Sequence, residues 1–115
     1  MAEDTIFGKI IRGEIPCDKV YEDDDYFAFK DINPAAPVHV LIVPKKPIAK
    51  LTDATQKDAA LIGGLFLVAN RIAADMGIAE RGFRCTLNCG PGGGQLVYHL
   101  HVHMLGGRDL SWPPG

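Results

Sequence analysis

Three histidines in strict alternation, His99, His101 and His103, stand out of the run from Tyr98 to Leu105, with apolar Leu100, Val102 and Met104 around them. On an extended strand, side chains two apart share a face, so this pattern aligns three imidazoles on one side. A lone histidine in such a run is most simply a hydrogen-bonded core residue; three in register ask for another account. Metal binding is the first. Adjacent members lie about 6.6 Å apart at Cα, within reach of one zinc ion, but His99 and His103, at about 13 Å, do not both reach it without a sharp bend. Cys85 and Cys89 are separated by three residues, with no second cysteine pair, so thiolate zinc is not expected either, and the chain is expected to carry no metal and no cofactor. Nucleophilic catalysis fits better. A neutral imidazole attacks phosphorus through one nitrogen while the other keeps its proton on a fixed acceptor, and close-set imidazoles depress one another's pKa. His101 is flanked on both sides.

Charge growing on phosphoryl oxygens needs donors, and the run Gly90 to Gly94 just ahead of the histidines can turn backbone N–H groups toward an anion. It lacks the Gly-Lys-Ser/Thr ending and following helix of a Walker-type loop. His39 interrupts an apolar strand, Val38 to Val43, and is expected inward or at a cleft. Asp31 precedes a loop stiffened by Pro34 and Pro37, where its carboxylate either caps the turn at Asn33 or meets a ligand.

The elements that must position these residues are readable from periodicity. Asp4 is expected to cap a short helix Thr5–Arg12, with Ile6, Phe7, Ile10 and Ile11 at helical spacing and Gly13 ending it. Val20–Glu22 and Tyr26–Lys30 flank the acidic turn Asp23–Asp25 and read as a hairpin. Asp53 and Gln56 suggest a capping box opening a long helix to about Met76, its stripe being Leu61, Leu65, Val68, Ile72 and Met76, with Gly77 as terminator. Gly82–Asn88 and Leu96–Leu105 read as two further strands, which would put all four histidines in strands. The tail Ser111–Gly115 holds Pro113 and Pro114 and cannot be regular helix or central strand. The expected fold is α+β, about five antiparallel strands with one long and one short helix.

At 115 residues, 47% hydrophobic and 23% charged, residues 1–115 are expected to form a single domain, small enough that oligomerisation would add useful burial. A net charge of −2 argues against a nucleic-acid partner and for small molecules or protein. No apolar run nears the ~20 residues of a membrane span, and the first residues lack a basic, apolar export signal, so no membrane partner and a cytoplasmic location are expected. Cys17, Cys85 and Cys89 read as thiols.

Gly93 through Arg108, with its His-x-His-x-His core of apolar spacers, resembles the signature of the histidine triad (HIT) superfamily. Gly106, Gly107 and Arg108 followed by Trp112–Gly115 are similar to its nucleotide-binding (Hint) branch. The likeness extends to Asp4–Ile10, Glu14–Pro16, Phe29, Asp31, Ile32, Pro34, Pro37, His39 and Val43–Lys46. It implies a homodimer whose sheets join into one, and hydrolysis of purine nucleoside 5′-phosphoramidates, AMP or GMP linked to an amine. It implies His101 as the nucleophile forming a nucleotidyl-histidine, with His99, His103 and His39 completing its cluster. Asp31 would take the ribose hydroxyls; Ile32, Ile6, Phe7 and Ile10 would line the base. Asn88, Gly94, Gln95 and the backbone near Val102 would hold the phosphate side, and Trp112 would reach the other subunit's site. Leu96 stands where this branch often has a small hydroxyl residue. Strict alternation points it away from the histidines, whereas a bulge after the glycine run would turn it toward them. A Fhit-like dinucleoside polyphosphate hydrolase and a nucleotide-binding or protein-interaction module are the competing readings.

Overall fold

The computed structural model describes residues 4–115. Near-continuous apolar runs in the central strands build a sheet buried on both faces there. Its strands are β1 (Lys19–Glu22), β2 (Tyr26–Lys30), β3 (Val38–Pro44), β4 (Phe83–Thr86) and β5 (Val102–Gly106), all antiparallel, in the order β1-β2-β3-β5-β4. Ala28, Val40, Ile42, Val102 and Met104 point to one face and pack beneath the long helix α2 (Ala59–Asp75). Phe27, Phe29, Leu41 and Val43 take the opposite face, where Phe7 and Ile10 of the short helix α1 (Ile6–Ile11) cover them. His39 and His103 share the parity of this second, α1-side face. The β3–β5 register sets Leu41 opposite His103 and His39 opposite Leu105, so residues far apart in sequence become neighbours.

Several boundaries differ from the sequence expectation. Thr5, not Asp4, caps α1: its Oγ1 accepts from the N–H of Gly8 at 3.2 Å, the reach of a residue directly before the first turn. Two 3-10 turns, Leu51–Asp53 and Gln56–Asp58, precede α2, and the capping box is formed by Thr55 and Asp58 rather than Asp53 and Gln56. Leu65, Val68 and Ile72 are buried as the stripe requires, while Leu61 and Met76 pack only half-buried at its margins. Gly77, at φ +73, ends the helix as expected. Asp23 organises the hairpin turn by accepting from the N–H groups of Asp25 and Tyr26, both at 2.8 Å.

The main correction concerns the second histidine strand. The ladder begins only at Val102, so His99 and His101 lie in an irregular approach to β5, not in a strand. Alternation nevertheless persists there, with Leu100 buried in the α2-side core and its N–H bonded to the carbonyl of Ile48 at 2.7 Å. Among the described residues, no helix is long and apolar enough to cross a membrane.

Candidate functional site

A cleft of about 410 Å³ opens on the α1 face of the sheet. Ile6, Phe7, Ile10, Phe29, Leu41 and Val97 supply its apolar walls; Asp31, Asn88, His101 and His103 are the polar groups that matter to its chemistry. α1 presents Phe7, whose ring meets His101 edge-on at 4.9 Å and Phe29 at 5.4 Å. Ring stacking thereby seats the imidazole of His101 against the sheet.

The hydrogen bonds determine where each imidazole carries its proton. His101 Nδ1 lies 2.8 Å from the carbonyl oxygen of His99. A carbonyl only accepts, so Nδ1 holds the proton and Nε2 of the neutral ring keeps its lone pair. His99 Nε2 donates in the same way to the carbonyl of Pro44 at 2.7 Å, fixing the backbone from which that acceptor projects. His39 receives the N–H of Ala35 on Nδ1 at 3.0 Å, which places its own proton on Nε2. That Nε2 lies 3.0 Å from His103 Nδ1 and 3.4 Å from Asp31 Oδ2, and the shorter contact makes His103 Nδ1 the acceptor. The remaining proton of neutral His103 is therefore on Nε2. One ring of the pair at 4.9 Å, His101, offers a lone pair; the other, His103, offers a donor.

Both rings are held neutral. Burial lowers the pKa of His101 and outweighs the upward pull of its hydrogen bond to the His99 carbonyl; the His99 ring adds to the lowering, and Asp31 pulls weakly upward. His103 is pushed down to about 4 by burial and by the neighbouring His101 and His39. Each shift comes chiefly from removing a cation from water.

Asp31, His39 and His103 each bring a possible ligand atom within 4.8 Å of the others. A cation there would need the His39 Nε2 lone pair, and that nitrogen carries the proton because Ala35 occupies Nδ1. The donor set suits a proton relay better than a metal.

The other expected site residues distribute unevenly. Ile6, Phe7, Ile10, Asp31, Ile32, Asn88, Gly94 and Leu96 all line the cleft with His101 and His103. Leu96 does so despite its parity, because no ladder holds the chain after the glycine turn. Val102 is buried in the α2-side core, so only its main chain can serve the site. Gln95 is buried with its side chain consumed: Oε1 accepts from Gly90 N–H at 2.9 Å, and Nε2 donates to the carbonyls of Ala49 and Val97. It shapes the loop rather than facing a ligand. The glycine run differs from expectation too. It closes as a 3-10 turn in which the N–H groups of Gly93, Gly94 and Gln95 bond back to Gly90 and Pro91, turning most of its amides inward. Trp112 is exposed and does not line the cleft of its own chain.

Some lining residues were given no place in the site from the sequence: Ile15 and Pro16, which only matched the family, and Cys17, which read as a plain thiol. Phe29 and Leu41 could have been found from strand parity with His39. The N–H of Ala35 was also missed, although Pro34 and Pro37 leave only Ala35 and Ala36 as donors in that turn. Arg108 braces the same residue from its other side, donating to the carbonyl of Ala35 at 3.0 Å.

Residues 12–110 match the HIT domain model. An uncharacterised HIT-like protein of Synechococcus elongatus is 61% identical over all 115 residues of both chains. The crystal structure of a HIT family hydrolase from Legionella pneumophila superposes with a TM-score of 0.95 at 46% identity, over 97% of this chain and 100% of that one. A histidine triad nucleotide-binding protein from Candida albicans gives 0.81 at 31% identity, over 96% and 83%.

Proposed function

This chain belongs to the histidine triad (HIT) family, and from that premise we propose that it hydrolyses the P–N bond of purine nucleoside 5′-phosphoramidates. The observation that carries the reading is the tautomer of His101, whose Nδ1–H is held by the His99 carbonyl so that a neutral, basic Nε2 is available in the cleft. Nε2 attacks phosphorus, the P–N bond breaks, and the amine leaves with the bonding pair and a proton from solvent. The imidazolium that forms is stabilised through Nδ1–H by the same carbonyl. Water then attacks phosphorus, releasing AMP or GMP, returning the proton and restoring His101. His103 Nε2–H donates to a phosphoryl oxygen as charge grows there; its pKa of about 4 makes it a hydrogen-bond donor, not a proton donor, at neutral pH.

The apolar walls around Phe7, Ile10 and Phe29 suit a purine base, and Asp31 is set to accept from the ribose diol. Asn88 and Gly94 complete the phosphate end. In this reading the protein works in the cytoplasm as a homodimer. Support comes from Phe66 and Leu67, exposed on α2, and from β4 at the sheet edge, where a second copy would join its sheet and bring Trp112 toward the opposite cleft.

The test is a rapid quench. Brief reaction with radiolabelled adenosine phosphoramidate followed by denaturation should leave the nucleotide on His101. His101→Ala should fold normally, carry no label and lose at least about a thousandfold in rate, roughly 4 kcal/mol of barrier. Turnover at the native rate by that variant would refute the proposal.

A further inference from the structure

Large apolar side chains are left in water at several places, Leu67 and Trp112 among them, but the most exposed ones share one opening. Among the described residues the two most exposed are Leu96, at 90%, and Ile32, at 89%, and both lie on the lip of the histidine cleft; Ile6, at 48%, lines it as well. Single exposed leucines are ordinary on a protein surface, but a cluster around one opening marks a surface that something apolar covers. The nucleotide itself does not account for Leu96. In the reading proposed above the base has the walls formed by Phe7, Ile10, Phe29 and Val97, which belong to the α1-side core or pack against it, whereas Leu96 lines the cleft from the stretch that carries the chain from the glycine turn to His99. Gly94 itself lies against Asn88: a Cβ added there would meet Asn88 Nδ2 at 4.0 Å. Where Asn88 and Gly94 take the phosphate, as proposed above, Leu96, two residues on from Gly94 and lining the same cleft, borders the place of whatever is bonded to phosphorus opposite the nucleoside.

Resting on the phosphoramidase reading, we propose that Leu96 is a specificity-determining residue that selects phosphoramidates whose leaving amine carries an apolar, aryl or branched-alkyl group. The chemical step is unchanged: His101 Nε2 bonds to phosphorus, the P–N bond breaks, and the apolar amine departs with the electron pair and a solvent proton. What Leu96 adds is contact with the amine's substituent. A polar or charged amine gains nothing from that contact and loses hydration on entering.

The test compares two substrates of the native enzyme whose amines are of similar basicity, adenosine 5′-phosphoramidate bearing N-phenethyl and the same compound bearing N-(2-methoxyethyl). The phenethyl substrate should have the higher kcat/KM by about ten- to fiftyfold, carried mostly in KM, as expected for extra apolar contact in a site. In Leu96→Ala the preference should fall below about threefold; the side chain is exposed, so the fold is not at stake. Equal turnover of both substrates by the native enzyme would overturn the selectivity while leaving phosphoramidase activity established. A preference that survives Leu96→Ala would overturn the assignment to this residue. Release of AMP from neither compound would overturn both readings together.

Discussion

Replacing His39 by asparagine isolates the relay that sets the His103 tautomer. The amide oxygen of the introduced side chain can stand where His39 Nδ1 now accepts the Ala35 N–H, so the Pro34–Pro37 turn keeps its partner. Nothing then reaches His103 Nδ1, which loses the donor now 3.0 Å away. His103 is free to move its proton from Nε2 to Nδ1, and in that tautomer it faces a phosphoryl oxygen with a lone pair. A hydrogen bond to a charged group contributes ~1.5–3 kcal/mol, equivalent to a loss of roughly 10- to 150-fold in kcat/KM. The loss should fall on kcat, because the donor meets its full charge only in the transition state. Steady-state kinetics of His39→Asn on adenosine phosphoramidate, with thermal unfolding in parallel, measures this. The nucleotidyl-His101 intermediate should still form, only more slowly, which separates this variant from His101→Ala. A kcat/KM within about threefold of native, with the melting temperature unchanged, would show that His39 does not determine the protonation of His103.

The pH profile follows from the direction of the His101 shift. The nucleophile must be neutral, and its pKa is lowered from the ordinary 6.5, so the acid limb of kcat/KM should have its midpoint below pH 6.5; a midpoint at or above that value would contradict the burial argument. Stability has the matching sign. The unfolded chain protonates His103 near its ordinary value while the folded chain resists to about 4, so stability is whole above pH 6.5 and declines as pH falls toward 4, a slope that His103→Asn should flatten in urea titrations. Turnover should be unaffected by chelator, because His39 Nε2 carries a proton; a requirement for one equivalent of zinc would reverse that assignment. Light scattering should give about twice the 12.4 kDa chain mass, and Leu67→Asp on the exposed face of α2 should shift it toward one; a fully active native monomer would refute the assembly.

Much of this molecule follows from its sequence because the relevant signals are local. The short apolar runs of β2 and β3 mark buried strands, and the helical stripe Leu65, Val68 and Ile72 reflects the period at which a helix must place apolar groups on one side. Gly77 marks the end of α2 through a positive φ that only its own backbone requires. The row His99, His101 and His103 likewise points to nucleophilic catalysis from residue type and spacing, whereas the roles of His39 and Asp31 come only with the family resemblance. The tertiary structure decided what depends on partners distant in the chain. Nothing local says that Ala35 would occupy His39 Nδ1, or that His39, 64 residues before His103, would hand it a proton. The glycine run looked like an anion cradle because its amides are unhindered, yet the 3-10 turn and the buried Gln95 bind them inward. Leu96 has the parity of a residue facing away, and it faces the cleft because parity constrains only a chain held in a ladder, which here starts six residues later at Val102.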